Sequence, residues 1–367
     1  MKALGIILAG GGSSRLQTLT SKRAVAAMPL AGTYRSIDFA LSNMSNSGVG
    51  TVAVVTQYSS RSLNIHLSSS KWWDFGRKQG GLYLLNPTIT PENTHWYRGT
   101  ADALIQNLDF IKERHEPYVI IASGDGVYKL DYNKVLERHA ATGAEITIVC
   151  KRMPKAESER FGVLELDENG RIVSWAEKDE HGASDGEKII NCGIYVVRRR
   201  HLIRLLEEAA REEKYHLVTD TIIPHLAEKK IMSYMLETYW TNIASVKAYF
   251  ECNKDFLDPK LRAFFFSEYP VVHTKVDDNP PAKFNSNARV SNSLVAGGSI
   301  VNGNVADSVL FKKVYVGDRS NVKNCILMDD VYIGDDVVLE NYIVDNKTRI
   351  ANGTCLVGDP DNIPILS

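Results

Sequence analysis

The chain has 367 residues, 44% of them hydrophobic and 24% charged, which suits a folded protein with room for two domains. Its formal net charge is -1, so no overall basic field favours nucleic acid and no polybasic anchor favours a membrane surface. Cys150, Cys192, Cys252, Cys325 and Cys355 form no C-x-x-C pair and their total is odd, a pattern that fits a reducing cytoplasm better than a disulfide framework or a zinc site.

From the start, an apolar run over residues 3–8 leads into Gly10-Gly11-Gly12-Ser13-Ser14-Arg15. Glycines let backbone N–H groups approach phosphate oxygens closely, and Arg15 could hold a terminal phosphate in its fork. An ordinary strand-to-helix turn explains the same residues, and the motif alone does not choose between the two. Further β-type runs follow at 51–56, 118–123, 145–150, 163–166 and 193–197. Between them, residues 100–114 place Ala101, Leu104, Ile105, Leu108 and Ile111 on one helical face. This alternation predicts an α/β domain over residues 1–255, with a doubly wound, Rossmann-like, mainly parallel sheet. Ligands are expected beyond the carboxyl ends of the strands, where the glycine loop emerges. No apolar run approaches the ~18 residues of a membrane span.

Residues 256–284 read as a linker, with prolines and little periodicity. Beyond it, over 285–367, aliphatic residues recur every five to seven positions: Val290, Val295, Ile300, Val305, Leu310, Val316, Val322, Leu327, Ile333, Val338, Ile343, Ile350 and Leu356. A period near six with one inward aliphatic per step predicts a triangular parallel β-helix, while a small sandwich would repeat every 8 to 12 residues. The open strand edges of such a coil make oligomerisation the default expectation.

At this point the chain resembles the ADP-glucose pyrophosphorylases, the glucose-1-phosphate adenylyltransferases of glycogen and starch synthesis. The matching stretches are Ile7-Leu-Ala-Gly-Gly11, Arg35 with Ile37-Asp-Phe-Ala-Leu-Ser-Asn43, Thr56-Gln-Tyr58, Trp96-Tyr-Arg-Gly-Thr-Ala-Asp-Ala103, Phe161-Gly-Val163, Gly193-Ile-Tyr195 and Pro280-Pro-Ala-Lys283. The resemblance implies a nucleotidyltransferase-type α/β domain followed by a left-handed β-helix, assembled as tetramers. It implies attack of glucose 1-phosphate on the α-phosphorus of ATP, in which Mg²⁺ and cationic side chains stabilise charge.

On that resemblance, Gly10, Gly11, Gly12 and Arg15 are the nucleotide loop, Asp125 is a metal carboxylate, and Tyr97, Gly162, Glu177, Lys178 and Asn191 line the sugar-phosphate pocket. Lys22, Arg23 and Arg35 stand at positions that in related enzymes contribute to an anionic effector site. Other positions depart from the family pattern. Gly12 and Ser13 replace an Arg-Gly pair, Val25 replaces a phosphate-facing lysine, Gly126 replaces a histidine, Thr241 replaces an arginine, and Asn242 stands where a second metal carboxylate is expected. Asn191 itself replaces a serine. An aliphatic or amide group cannot neutralise phosphate charge, and losing one preorganised stabiliser commonly costs about 10²- to 10³-fold in rate.

The pattern resembles the non-catalytic D-type subunit that accompanies a catalytic ADP-glucose pyrophosphorylase subunit. It implies a regulatory role in a mixed tetramer, with a weakened Mg²⁺ site. Two other readings stay open: an active sugar-phosphate nucleotidyltransferase, and a stand-alone sugar-nucleotide sensor.

Overall fold

A computed structural model describes residues 1–76, 80–91, 93–177 and 186–367. The chain divides into two compact units: one of residues 1–11, 40–57 and 73–240, the other of residues 12–39, 58–72 and 241–367.

The first unit is built on a nine-stranded sheet. Its strands in chain order are β1 (Ala3–Leu8), β2 (Thr51–Val55), β3 (Gly81–Leu85), β4 (Tyr118–Ser123), β5 (Ile146–Pro154), β6 (Val163–Leu166), β7 (Ile172–Ala176), β8 (Glu187–Arg198) and β9 (Ile231–Met235). The sheet runs β7-β6-β8-β4-β1-β2-β3, and β5 pairs with both β8 and β9. β1 lies parallel to β2 and β4, and β3 continues the parallel half. β8 then runs antiparallel to β4, β5 and β6, so the sheet is mixed. β1 and β2 are near-continuous apolar runs, as strands covered on both faces must be.

Two helices show why the flanking segments fold as they do. In α1 (Tyr132–Thr142), the Asp131 side chain accepts the Asn133 N–H at the start, and Gly143 adopts a left-handed φ of 62° at the end. In α2 (Arg199–Arg211), Leu202, Leu205, Leu206 and Ala209 are buried at helical spacing. The single helix expected over 100–114 is two shorter ones, Thr100–Ile105 and Leu108–Lys112.

The second unit holds a parallel β-helix of three five-stranded sheets. Successive coils are 17 residues apart, as in the pairing of Tyr315 with Tyr332 and of Tyr332 with Arg349. One shorter coil takes Ile300 to Tyr315, and a five-residue insertion lies in the last, where Ile343 pairs with Ile365. The corners repeat with the coils: Asp307, Asn324 and Asn341 stack in left-handed conformation, as do Lys313, Asp330 and Lys347. Side-chain amides tie the coils together, Asn304 Nδ2 donating to Asn321 Oδ1 at 2.8 Å and Asn324 Nδ2 to Asn341 Oδ1 at 2.8 Å. Glycine is required at 317, where a Cβ would lie 2.4 Å from the Gly334 carbonyl oxygen of the next coil.

Val305, Leu310, Val316, Val322, Leu327, Ile333 and Ile350 are buried as expected. The expected phase slips by one residue at two strands: Ile300 is 38% exposed with Val301 buried beside it, and Val338 is half-buried beside the inward Leu339. Each corner consumes a residue outside the two-residue alternation, so a count from fixed spacing drifts.

One sheet of the β-helix is buried on both faces, at Val309–Leu310, Ile326–Leu327 and Ile343–Val344. The cover comes from within the same unit. Arg23 reaches Asp345, Lys254 of α3 (Val246–Asp255) donates to the Asp307 carbonyl, and the Gly32 backbone lies against Ala296 and Leu310. Residues 256–284, expected as a linker, carry α4 (Pro259–Phe266), with Asp258 as its cap and proline in its first turn. Its Phe265 is fully buried, edge-on to Phe39.

Among the described residues, no helix is long and apolar enough to cross a membrane. No disulfide joins the cysteines, and burial pushes the Cys150 and Cys192 thiols well up, as expected of inert core thiols.

Candidate functional site

In the first unit, β1 delivers Gly10 and Gly11 at the carboxyl edge of the sheet. The neighbouring turn after β4 is pinned there by the Gly124 N–H, which donates to the Leu8 carbonyl at 3.0 Å. That turn carries Asp125, whose Oδ1 accepts the Ser123 hydroxyl. Gly126 is closely packed: a Cβ there would stand 3.0 Å from the Tyr128 ring and 3.8 Å from Trp240 Nε1, which leaves no room for a histidine without movement of Tyr128. Gln57 bridges two predicted site elements. A Cβ on Gly10 would touch Gln57 at 3.3 Å, while the Gln57 carboxamide accepts the Tyr97 N–H at 2.6 Å and donates to the Tyr97 carbonyl at 3.2 Å. Tyr97 is buried, its hydroxyl accepts from Asn107 Nδ2 at 2.9 Å, and burial raises its pKa.

Gly162, Glu177 and Asn191 come together around Trp175 and Tyr195. Trp175 Nε1 donates to Glu177 Oε1 at 3.0 Å. The Asn191 N–H donates to the Gly162 carbonyl at 3.0 Å, and Asn191 Nδ2 donates to the Tyr195 hydroxyl at 2.8 Å. Asn191 Oδ1 accepts the Gly193 N–H at 2.9 Å, and Gly193, at φ 70°, lies against Ser123, so the cluster continues to Asp125. Gly162 has to be glycine here, since a Cβ would sit 2.5 Å from Trp175 Nε1 and 2.9 Å from Glu177 Oε1. Phe161 packs edge-on to Trp240 at 5.2 Å, and the buried Trp240 Nε1 lacks a hydrogen-bond acceptor among the described residues. Lys178 lies outside the described residues. Alternating apolar and aromatic residues in β7 and β8 were the available signal for Trp175 and Tyr195; Gln57 and Trp240 had none beyond the matched motifs.

The second unit holds Gly12, Arg15, Lys22, Arg23, Val25, Arg35, Thr241 and Asn242. Gly12 is exposed, and a Cβ there would meet nothing within 4 Å. After it, Leu16 and Leu19 are fully buried and anchor a short helical turn over Ser14–Thr20, which leaves Arg15 exposed. The Ser13 hydroxyl donates to the Ala244 carbonyl at 2.6 Å, and the Ala244 N–H donates to Asn242 Oδ1 at 2.8 Å. Two positions where the sequence departs from the family pattern are thereby neighbours, joined through one residue's backbone. Val25 is buried, 6% exposed.

The three residues assigned to an anionic effector site have different surroundings. Lys22 is exposed. Arg23 is buried, its Nη2 donating to Asp345 Oδ1 at 2.6 Å and its Nη1 to Met328 Sδ at 3.0 Å. An anion reaching Arg23 therefore has to displace Asp345. Arg35 Nη1 donates to the Ser62 hydroxyl at 2.7 Å, and burial lowers its pKa against the opposing pull of Asp329 and Asp38. Asp38 in turn bonds the His66 Nε2 at 2.6 Å.

In the first unit Asp125 has a carboxylate oxygen engaged by Ser123, and in the second unit position 242 has a neutral amide whose oxygen accepts a backbone N–H. Among the described residues no group of three His, Cys, Asp or Glu side chains is arranged to hold a metal.

Comparison with known proteins places this geometry among relatives. Residues 4–258 match the nucleotidyl transferase family, and residues 280–362 match the GlmU-like C-terminal hexapeptide family. A glucose-1-phosphate adenylyltransferase of Halalkalibacterium halodurans is 39% identical over 367 residues, covering 99% of this chain and 95% of the relative. Those of Clostridium acetobutylicum and Geobacillus stearothermophilus are 38% and 36% identical, each over 86% of this chain and over 83% and 82% of the relative.

Proposed function

Because the chain belongs to the nucleotidyl transferases, among relatives named glucose-1-phosphate adenylyltransferase, we propose that it is a regulatory subunit, weakly catalytic or non-catalytic, of an enzyme making ADP-glucose from ATP and glucose 1-phosphate. Its place is in cytoplasmic glycogen synthesis, in a mixed tetramer with a catalytic subunit. The observation that carries this reading is the neutral junction of Ser13, Ala244 and Asn242. Where the family resemblance calls for an arginine at 12 and a carboxylate at 242, this chain has a glycine and an amide, and the amide and the neighbouring Ser13 hydroxyl bond to a turn's backbone. Buried Val25 adds a second uncharged position.

Adenylyl transfer depends on charge held ready for the phosphates, so a neutral junction lowers the rate while leaving the fold in place. Divalent cation binding is correspondingly weak. The cluster of Gly162, Trp175, Glu177, Asn191 and Tyr195 keeps the donors and acceptors that a sugar phosphate needs, which favours retained sugar-phosphate binding. Of the residues assigned to an effector, Lys22 is the accessible cation, and Arg23 responds only by exchanging Asp345 for the incoming anion.

The test is ADP-glucose formation by the purified chain with ATP, glucose 1-phosphate and Mg²⁺, alone and mixed with the catalytic subunit of the same organism. Turnover should be at least 10²-fold below that of the catalytic subunit, and mixing should change the latter's rate or effector response. Robust turnover by the isolated chain would overturn the proposal.

A further inference from the structure

The edge of the sheet away from Asp125 carries positive charge that the site does not use. Strand β8 ends on Arg198, which pairs in register with Tyr118 at the start of β4. The six residues of β4, about 17 Å of extended chain, separate this edge from the Asp125 turn. Helix α2 begins here, and the sequence reads Arg198-Arg199-Arg200-His201, with Arg204 one turn on. Arg199 is engaged in the fold, its Nε donating to the Glu116 carbonyl at 3.0 Å and its N–H to the Pro117 carbonyl at 2.9 Å. Among the described residues, the side chains of Arg198, Arg200 and Arg204 make no hydrogen bond or ion pair, and Arg200 and Arg204 are exposed.

Two further features set this edge apart from an ordinary charged surface. No side chain caps α2, so the N–H groups of Arg200 and His201 in its first turn have no intrahelical acceptor. Beside them lie two buried imidazole nitrogens without partners, His139 Nε2 and His201 Nδ1. His139 is fully buried, its Nδ1 is 2.9 Å from the Thr147 hydroxyl, and Arg198 and His201 are its charged neighbours. With that hydroxyl donating to Nδ1, Nε2 carries the ring proton and turns away from Thr147 as a donor. Glu145 acts on His201, but it also accepts the Lys230 N–H at 3.1 Å. The open helix turn, the arginines and the imidazoles thus lack the same thing, an acceptor carrying negative charge.

We propose that the start of α2 binds a tetrahedral oxyanion, a free phosphate or the phosphate group of an ester. The Arg200 and His201 N–H groups and the aligned helix dipole face its oxygens. Arg198, Arg200 and Arg204 close around it, guanidinium forks being suited to phosphate oxygens, and His139 stands behind it as the buried donor. Arg200 and Arg204 reach it together because residues four apart share one helical face.

The probe is inorganic sulfate, whose charge stays fixed over the pH range, followed through the imidazole Cε1–H NMR signal of His139 in the full chain. That signal is assigned by its loss in His139→Gln, and chloride at equal ionic strength is the control. Sulfate at up to about 20 mM, enough to fill a millimolar site, should shift the signal. It should also move the His139 midpoint up from about 4 toward 6.5, since a bound dianion favours the imidazolium that burial, Arg198 and His201 disfavour. The charged and titratable groups facing His139 and His201 are Tyr118, Glu145, Arg198, Arg200 and Arg204. Arg200→Ala with Arg204→Ala, both at exposed positions, should weaken the response at least about 10-fold, and Glu145→Gln should keep it. Inorganic phosphate and glycerol phosphate are then compared at pH 7: a response to both assigns a site open to esters, and a response to phosphate alone assigns one for the free anion. The proposal is overturned if sulfate does no more than chloride, if the double variant, folded by circular dichroism, responds like the unmodified chain, if Glu145→Gln abolishes the response, or if neither phosphate compound elicits one.

Discussion

Around Gly162 the polar side chains of Trp175, Glu177, Asn191 and Tyr195 bond to one another and to nearby backbone, whereas around Ala244 those of Ser13 and Asn242 bond to the backbone of a turn. The first arrangement is a mutual network with a glycine at its centre that no side chain can replace without displacing Trp175. Changing any member disturbs the others, so binding chemistry and fold are coupled there. In the second, a small neutral side chain suffices to hold the turn, and charge can be exchanged for an amide with the local backbone bonds kept. On the proposed function, that difference is what would let a chain keep a sugar-phosphate pocket while losing the electrostatics of phosphoryl transfer.

The largest expected effect comes from reversing the second arrangement. Gly12→Arg, Val25→Lys and Asn242→Asp combined should raise adenylyl transfer by about 10²- to 10³-fold or more, read as ADP-glucose formed per minute. Gly12 has open space for the new side chain. A folded triple variant with unchanged turnover would show that the missing charges are not what separates the two regions.

Next in size is the glycine of the first arrangement. Gly162→Val forces atoms into Trp175 and Glu177, so sugar-phosphate affinity in calorimetry should fall more than tenfold and stability should drop by about 1–3 kcal/mol. Affinity within twofold of the unmodified chain would uncouple pocket from fold.

A smaller effect is expected in the core of the first unit. His139 is fully buried, its Nδ1 is 2.9 Å from the Thr147 hydroxyl, and its ring lies edge-on to Tyr118. Burial, with Arg198 and His201 nearby, lowers its pKa to about 4. The unfolded chain binds that proton near pH 6.5, so the stabilisation is present above about 6.5 and is lost as pH falls toward 4. Thermal melts should show His139→Gln less sensitive to acid between pH 7 and 5, and parallel losses in both proteins would assign the acid response elsewhere.

The smallest effect belongs to the β-helix corners. Lys347 holds a φ of 63°, and Lys347→Gly should raise stability by about 0.5–1 kcal/mol in a denaturant titration.

Much of the architecture was legible because its signals are local. The runs at Ala3–Leu8, Tyr118–Ser123 and Val163–Leu166 coincide with strands, since buried strands need continuous or alternating apolar residues. β3, β7 and β9 were missed: Gly81–Leu85, Ile172–Ala176 and Ile231–Met235 are short, and their strand character rests on the neighbours they join. The β-helix period was readable, but its phase was not, because 17-residue coils differ from three equal steps of six and only the corners record where the residue is dropped. At the site, the motif matches named Gly162, Glu177 and Asn191, which lie together in the structure. Those matches included Gln57 and Arg23 but not their partners: Gln57 bonds the Tyr97 backbone, and the counterion of Arg23, Asp345, lies 322 positions away in sequence.

The 17-residue coils over residues 304–354 give this part of the β-helix a property of a stacked ladder. Because Asn304, Asn321 and Val338 succeed one another in register, excising residues 321–337 would bring Val338 onto Asn304 with the same corner sequence and the same inward aliphatic column. The length of this part of the chain can thus change by whole coils without redesign of the remaining ones, whereas a deletion within a strand shifts its inward residues out of register. Spacing along the helix axis is quantised in steps of about 4.8 Å, so whatever binds along it is measured in coils.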